Sequence, residues 1–551
     1  MAVLFAAAYT RLQPLNSPLE NDPMCPMIPM LHPWRVLLIT VVVLTCAPTS
    51  SSATDYFLTI GGGYNPMGNQ ASLEANILFF QQVLSERHVE SRNHDIFFAD
   101  GNDEQPDLQV MAAKKPKEDL PATELLAAIH RRREPDRLEY RNHRVPQING
   151  PLDPTMIHAS LTKIAKTARD GDRVIIYVTA HGSAGPENKP YNTTIDCWNE
   201  KKITAREFTR WLSELPDTIP VVMVTAQCYC GGFSHTIFED LDETKGLAPQ
   251  LRAGFFAQQH DLPAAGCRPD IEHDEEFSSY FWGAIAGRSR TGMPIANCDI
   301  NGDGIISFAE AYAHAVIAGE TIDIPLRTSD TLLRTYSRMS VTADESAPPA
   351  SESSATAIGE ASSGAQTQTS RLAGSLQSFL DLGRPVSDRI IIDLGRGLGF
   401  TPDSDAADVV AAYNKHRRGT RNQGRGQRRR PGGGRRELLQ EVAQKWPELG
   451  DERRWEESPL LKVDNQEQLV KELQELPSWK AFDQRRRQMA EATEQAAQHE
   501  LREVKFRRLI NTLECIVLEQ NLPNVAKPEI VAHYHRLITL EESALSDRKQ
   551  K

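Results

Sequence analysis

Two apolar runs in this chain each end in a side chain able to move a proton or attack a carbonyl. Val174-Ile175-Ile176-Tyr177-Val178-Thr179-Ala180 runs into His181-Gly182. Val221-Val222-Met223-Val224-Thr225-Ala226 runs into Gln227-Cys228-Tyr229-Cys230-Gly231-Gly232. A thiolate is a strong nucleophile, and an imidazole beside it can take the thiol proton and return it to a leaving amine. The reaction this pair suggests is acyl transfer through a thioester, with His181 as base and Cys228 as nucleophile. The backbone N–H groups of Gly182 and Cys228 are the candidates for an oxyanion hole. Cys230 is a second thiol close by and an alternative nucleophile.

A second constellation has the chemistry of a hard cation. Asp299-Ile300-Asn301-Gly302-Asp303-Gly304-Ile305-Ile306-Ser307-Phe308-Ala309-Glu310 carries oxygen ligands at the spacing of a twelve-residue EF-hand loop. Asp299, Asn301 and Asp303 supply side-chain oxygens, Ile305 a carbonyl, Ser307 a hydroxyl and Glu310 a carboxylate, around a turn at Gly304. Ca²⁺ is the expected ion. The entering side, Met293-Pro294-Ile295-Ala296, is not helical, so the expectation is half an EF-hand. The bland alternative is a metal-free turn that caps the helix expected over 309–318.

The two reactive residues need rigid carriers. Each run is short, rich in β-branched residues and bounded by glycine, which suits a strand buried on both faces of a parallel sheet. Strands are also expected at Phe57–Ile60, Asp95–Ala99 and Gly254–Ala257. Helices are expected at Ser72–Leu84 with Ser72 as cap, near Glu124–Arg131, at Met156–Ala168 and at Thr204–Leu215. Alternation of this kind predicts an α/β sandwich of three layers around a mostly parallel sheet. The carboxyl edge of such a sheet is where sites are built.

At the residues around His181 and Cys228 the chain resembles the caspase-like cysteine peptidases, the group of caspases, metacaspases and legumains, in its bacterial form. Their pattern is an apolar strand ending in His-Gly, then about fifty residues later an apolar strand ending in Cys before Gly. The resemblance covers residues 54–340. It implies a peptidase that cleaves protein or peptide substrates, with His181, Cys228 and Gly182 in the roles given above. Caspases place Gln-Ala before the cysteine and legumains Glu-Ala, whereas here it is Ala226-Gln227. That departure leaves the preference for the substrate residue before the cut open. Candidate pocket residues are Asn69, Asp100, Gln227, Arg268 and Asp270. The resemblance also implies that such a calcium loop can follow the peptidase core.

Composition sets the frame. The chain has 551 residues, 25% charged and 40% hydrophobic, with net charge −12. The length calls for more than one domain. Residues 1–53 read as a leader with an export signal: Arg35 precedes Val36–Thr45, and Ser51-Ser52-Ala53 offers a cleavage site. The expected destination is periplasmic or extracellular, with a membrane contact only through an uncleaved leader. Of eight cysteines, none falls into a zinc spacing, and a Cys267–Cys298 bridge is left open. Residues 341–372 are a Ser/Ala/Thr-rich linker. Residues 373–551 read as a separate helical accessory domain with an Arg-rich loop over 417–436. That loop could bind nucleic acid, but export and negative charge make such a partner unlikely; it is also a candidate for self-processing. The rival functional class is a caspase-like regulatory or binding protein with little catalysis.

Overall fold

The computed structural model describes residues 54–89, 93–111, 121–130, 138–265, 276–340, 372–427 and 434–545. The leader, the linker, Cys267, Arg268, Asp270 and Arg428–Gly433 of the Arg-rich run lie outside these residues. Among the described residues no helix is long and apolar enough to cross a membrane.

The elements, in chain order, begin with β1 (Asp55–Gly62), α1 (Ala71–Glu86), β2 (His94–Phe98), β3 (Leu108–Met111), α2 (Pro121–His130), β4 (Leu138–Arg141), α3 (Pro154–Thr167) and β5 (Arg173–Ala180). There follow β6 (Thr194–Asp196), β7 (Lys202–Thr204), α4 (Ala205–Leu212), β8 (Val221–Thr225), β9 (Arg252–Phe256), α5 (Phe277–Ala286), α6 (Phe308–Ala318), β10 (Leu326–Arg327) and α7 (Thr328–Tyr336). The last part is helical: α8 (Leu376–Leu380), α9 (Pro385–Leu398), α10 (Ala406–Gln427), α11 (Arg435–Lys445), α12 (Gln466–Gln474), α13 (Trp479–Val525) and α14 (Pro528–Glu541).

The central sheet has the order β10-β9-β8-β5-β1-β2. All its pairs are parallel except β9 with β10. β5 and β8 are buried at every residue, which is why their sequences are continuous apolar runs rather than alternating ones. Phe57 of β1 and Tyr177 of β5 pack against Phe80 of α1, and Tyr177 also meets Trp282 of α5 edge-on. α3 and α4 pack together elsewhere on the sheet. From β1 the chain turns outward to β2, then crosses back to β5 on the other side. The connections that leave the carboxyl ends of β1 and β5 therefore run in opposite directions, and open α/β sheets carry a crevice at such a point.

Two corrections concern local structure. Ser72 does not cap α1; Gln70 is the cap residue and Ser72 is buried within the first turn. The segment 102–150 holds a small antiparallel strand pair, β3 with β4, on either side of the expected helix α2. Its strands are too short for a periodic signal.

A third correction is larger. The described residues from Thr54 onward form one compact unit, and the helical segment is not separate from the sheet. Phe506, Leu509, Ile510, Leu513 and Ile516 of α13 share one continuous hydrophobic core with the sheet. Arg173 at the start of β5 bonds Ser543 Oγ and the Ala544 carbonyl. Glu541, fully buried, accepts from Ser329 at the start of α7. The apolar stripe of α13 is buried against helices α7, α9 and α10, and burying both faces removes each from water. Among the described residues a distal lobe stands on a core of its own, where α2 packs with Leu438, Val442, Trp446, Trp455 and Leu473, and a smaller separate cluster gathers Ile77, Phe98, Leu108 and Val145. The Arg-rich run is also not a loop at its start: α10 continues through Gln427.

Candidate functional site

His181 and Cys228 are delivered by neighbouring strands. In the β5–β8 pair Val178 lies opposite Thr225, so the two reactive residues follow their strands at the same offset. The turns that follow are in contact. A Cβ on Gly182 would come within 2.3 Å of the Cys228 carbonyl oxygen and 2.8 Å of the Gln227 side chain. Only glycine lets the two chain turns approach so closely. Tyr229, just past Cys228, has φ +59, a strained value for a bulky residue.

The imidazole is held from the end of β1. Its Nε2 lies 2.7 Å from the Gly68 carbonyl oxygen and 2.9 Å from Gln70 Oε1. Both partners accept, because Gln70 turns its amide nitrogen to the Met67 carbonyl. Nε2 must therefore carry the proton, and Nδ1 is left with a lone pair. Tyr64 packs edge-on against the ring at 5.2 Å. Burial lowers the imidazole's pKa; the Gly68 carbonyl and the charge of Asp196 work against that shift. The glycines after β1 make this hold possible. A Cβ on Gly63 would lie 2.3 Å from the Gly68 backbone, so the short turn at Pro66–Gly68 could not fold back onto it.

Cys228 is half-buried, and its sulfur accepts from the Ala264 N–H at 3.3 Å. Burial raises its pKa, opposed by that N–H. Burial thus favours the uncharged form of both the imidazole and the thiol. Cys230 is a core thiol: fully buried, it accepts from Gln258 N–H at 3.2 Å, and burial pushes it up to about 12. Cys298 is a free thiol.

The expected pocket residues divide. Asn69 is completely buried and committed, accepting from Gly63 N–H and donating to Asp107. It supports the turn that carries Gly68 and has no free edge for a substrate. Asp100 sits beside Asp107; burial and the neighbouring charge raise it to about 7. Gln227 is fully buried against Gly182, with neither amide atom partnered. Of the three, only Gln227 touches the His181–Cys228 turns.

The acidic loop holds its oxygens on its own backbone. Asp299 accepts from Gly302 and Gly304, Asn301 from Asp303, and Asp303 from Ile305. Gly304 has φ +81, the turn conformation this position demands. Glu310 is 2% exposed and accepts from Ile300, Asn301 and both donors of Ser307, which makes Ser307 and Glu310 the capping box of α6. Among the described residues no three His, Cys, Asp or Glu side chains converge to hold a metal. The ligand types suit Ca²⁺, but as placed the loop is a capped turn, and calcium would have to draw Glu310 off its four donors.

Gln70, Gly68 and Ala264 were not found from the sequence. The one available signal was the glycine-rich turn after β1, which marks a close approach without naming what approaches.

No family model matches the chain, and no curated protein matches it. Solved structures do match. One is the protein GSU0716 of Geobacter sulfurreducens, at 11% identity, with 50% of this chain and 92% of that one covered and a TM-score of 0.27.

Proposed function

We propose that the chain is a cysteine endopeptidase of the caspase-like kind, with Cys228 as nucleophile and His181 as base. The observation that carries this reading is the fixed imidazole. With Nε2–H tied to Gly68 and Gln70, the basic Nδ1 is the nitrogen left to take the thiol proton. Cys228 Sγ attacks the peptide carbonyl carbon as its proton passes to His181. The C–N bond breaks, the proton goes to the leaving amine, and water then hydrolyses the thioester. The Gly182 and Cys228 amides are the proposed donors to the oxyanion. Calcium modulation is proposed on the ligand order of the 299–310 loop, and export on the leader; no step of the reaction depends on either.

The test uses the full chain, Cys228→Ala and Cys230→Ala, each incubated with a mixed peptide library whose cuts are read by mass spectrometry. Cleavage that survives in Cys230→Ala and disappears in Cys228→Ala supports the reading. Cleavage lost only in Cys230→Ala refutes the assignment. Folded protein that cuts nothing under reducing conditions favours a regulatory or binding role for the same fold.

A further inference from the structure

Helix α13 reaches the nucleophile through a buried arginine. Arg508 is 2% exposed, and every one of its guanidinium N–H groups is used. Nε donates to the Asp323 carbonyl, Nη1 to the carbonyls of Val316 and Gly319, and Nη2 to the carbonyl and hydroxyl of Thr321. Val316 belongs to the last turn of α6, and Gly319, Thr321 and Asp323 to the turn between α6 and β10, so one side chain fixes that turn against the end of the helix. A five-donor planar fork is the group suited to such a task, and a lysine could not replace it.

The turn in turn holds the segment after β9. Asp323, 1% exposed, accepts from Ala265 N–H at 2.8 Å with one oxygen and from Thr321 Oγ1 with the other. Gln258 donates to both the Pro263 and the Ile322 carbonyls, which ties the segment to the turn a second time. Arg507, next to Arg508, donates to Gln259 Oε1 at 3.0 Å. The held segment lies on Cys228: the Ala264 N–H points at the sulfur, and the Leu262 carbonyl takes the Tyr229 N–H.

We infer that Arg507 and Arg508 are positioning residues that keep segment 258–265 closed over Cys228, so that helix α13 sets the access of reagents and substrates to the thiol. This rests on the proposed nucleophile but not on its turnover. The segment is attached by hydrogen bonds to a helix rather than by strand pairing, so it can leave the thiol while the sheet stays intact. Burial is also the first cause of the raised Cys228 pKa, with the lost Ala264 N–H a smaller opposing one. Opening therefore both exposes the sulfur and favours its ionised form.

The experiment measures alkylation of Cys228 in the full chain by N-ethylmaleimide across pH, with the modified cysteine located by mass spectrometry. The plateau rate at high pH reports access, and the midpoint reports ionisation. Arg508→Met keeps the volume and removes the five donors. Loss of even one hydrogen bond from a charged group is expected to raise the plateau roughly tenfold or more, with the midpoint moving down. Cys230 should stay unmodified, which shows that the core is intact. Should Arg508→Met fail to fold, Arg507→Ala, at a half-buried site, should raise the plateau by a smaller factor. A plateau that is unchanged or lower in a folded variant overturns the inference. Alkylation needs no substrate, so faster labelling without any peptide cleavage would keep this inference and reject the peptidase, while cleavage with unchanged labelling would do the reverse.

Discussion

The Gly68 carbonyl oxygen lies 2.7 Å from His181 Nε2, and this contact decides which ring nitrogen is basic. Gly68 sits beyond the carboxyl end of β1, His181 beyond that of β5, and the two strands pair in parallel along their whole length. The orientation of the base is thus set by the sheet itself. Gln70 adds a side-chain acceptor to the same N–H, in a position where, as the cap residue of α1, it is anchored by the helix.

Gln70→Ala should therefore weaken the hold on the imidazole without removing it, because Gly68 remains. Under the peptidase reading kcat is expected to fall by about tenfold, the lower range for loss of an orienting partner, with KM nearly unchanged. Gln70→Glu offers the same acceptor with a charge, and should recover part of kcat while shifting the acid limb of the pH profile to higher pH. Steady-state kinetics over pH checks both. Equal losses in KM and kcat, or no recovery in the Glu variant, would count against a role for Gln70 in orienting the ring.

How much of this was legible in the sequence depends on the range of the contact. β5 and β8 announce themselves, since strands buried on both faces must be apolar throughout, and the glycines beside His181 and Cys228 mark close approach. The partners of those two residues do not. Gly68, Gln70 and Ala264 act through backbone atoms or a single amide, and nothing in their types distinguishes them from other turn residues. A low-complexity linker separates the helical segment from the sheet in sequence and reads as a domain boundary, while the signal of its packing is the apolar stripe of α13. Arg508 stands four residues after the buried Val504 and next to Leu509, in phase with the apolar face. A charged residue in that phase must either break the packing or bring its own partners. The twelve-residue acidic loop shows the opposite limit: its ligand order was plain, but order alone does not place Glu310 among metal ligands rather than backbone donors.

Asp100 gives a pH prediction whose sign is fixed. Its pKa is raised to about 7 in the fold, from an ordinary carboxylate value near 4, mainly by burial and then by Asp107. The folded state therefore binds more protons than the unfolded one between those values. The stabilising contribution is fully present below about pH 4 and is lost as pH rises through about 7. Asp100→Asn removes the ionisation. The difference in Tm between variant and wild type should grow in favour of the variant from pH 4 to pH 8. Glu276 and Glu541 are raised to about 7 as well, so the comparison has to be this difference and not the wild-type curve alone. A difference that is flat across that range would show that Asp100 does not hold the extra proton.

Glu310 can serve one of two masters, and calcium tells them apart. As the cap of α6 it accepts four donors while almost fully buried, so Glu310→Ala should cost about 2 kcal/mol or more in stability whatever the metal does. Glu310→Gln keeps the shape and part of the cap but halves the carboxylate's acceptor capacity and removes its charge. If the loop takes calcium, adding the ion in excess should raise the wild-type Tm by linkage, and by about 2.7 kcal/mol of stability at a hundred times the dissociation constant. The Gln variant should show little of that rise, because a bidentate oxygen pair is gone. The expected result is a calcium-dependent Tm in wild type only. A wild-type Tm indifferent to calcium, with Glu310→Ala still destabilised, would leave the loop as a capped turn and withdraw the ion from the proposed function.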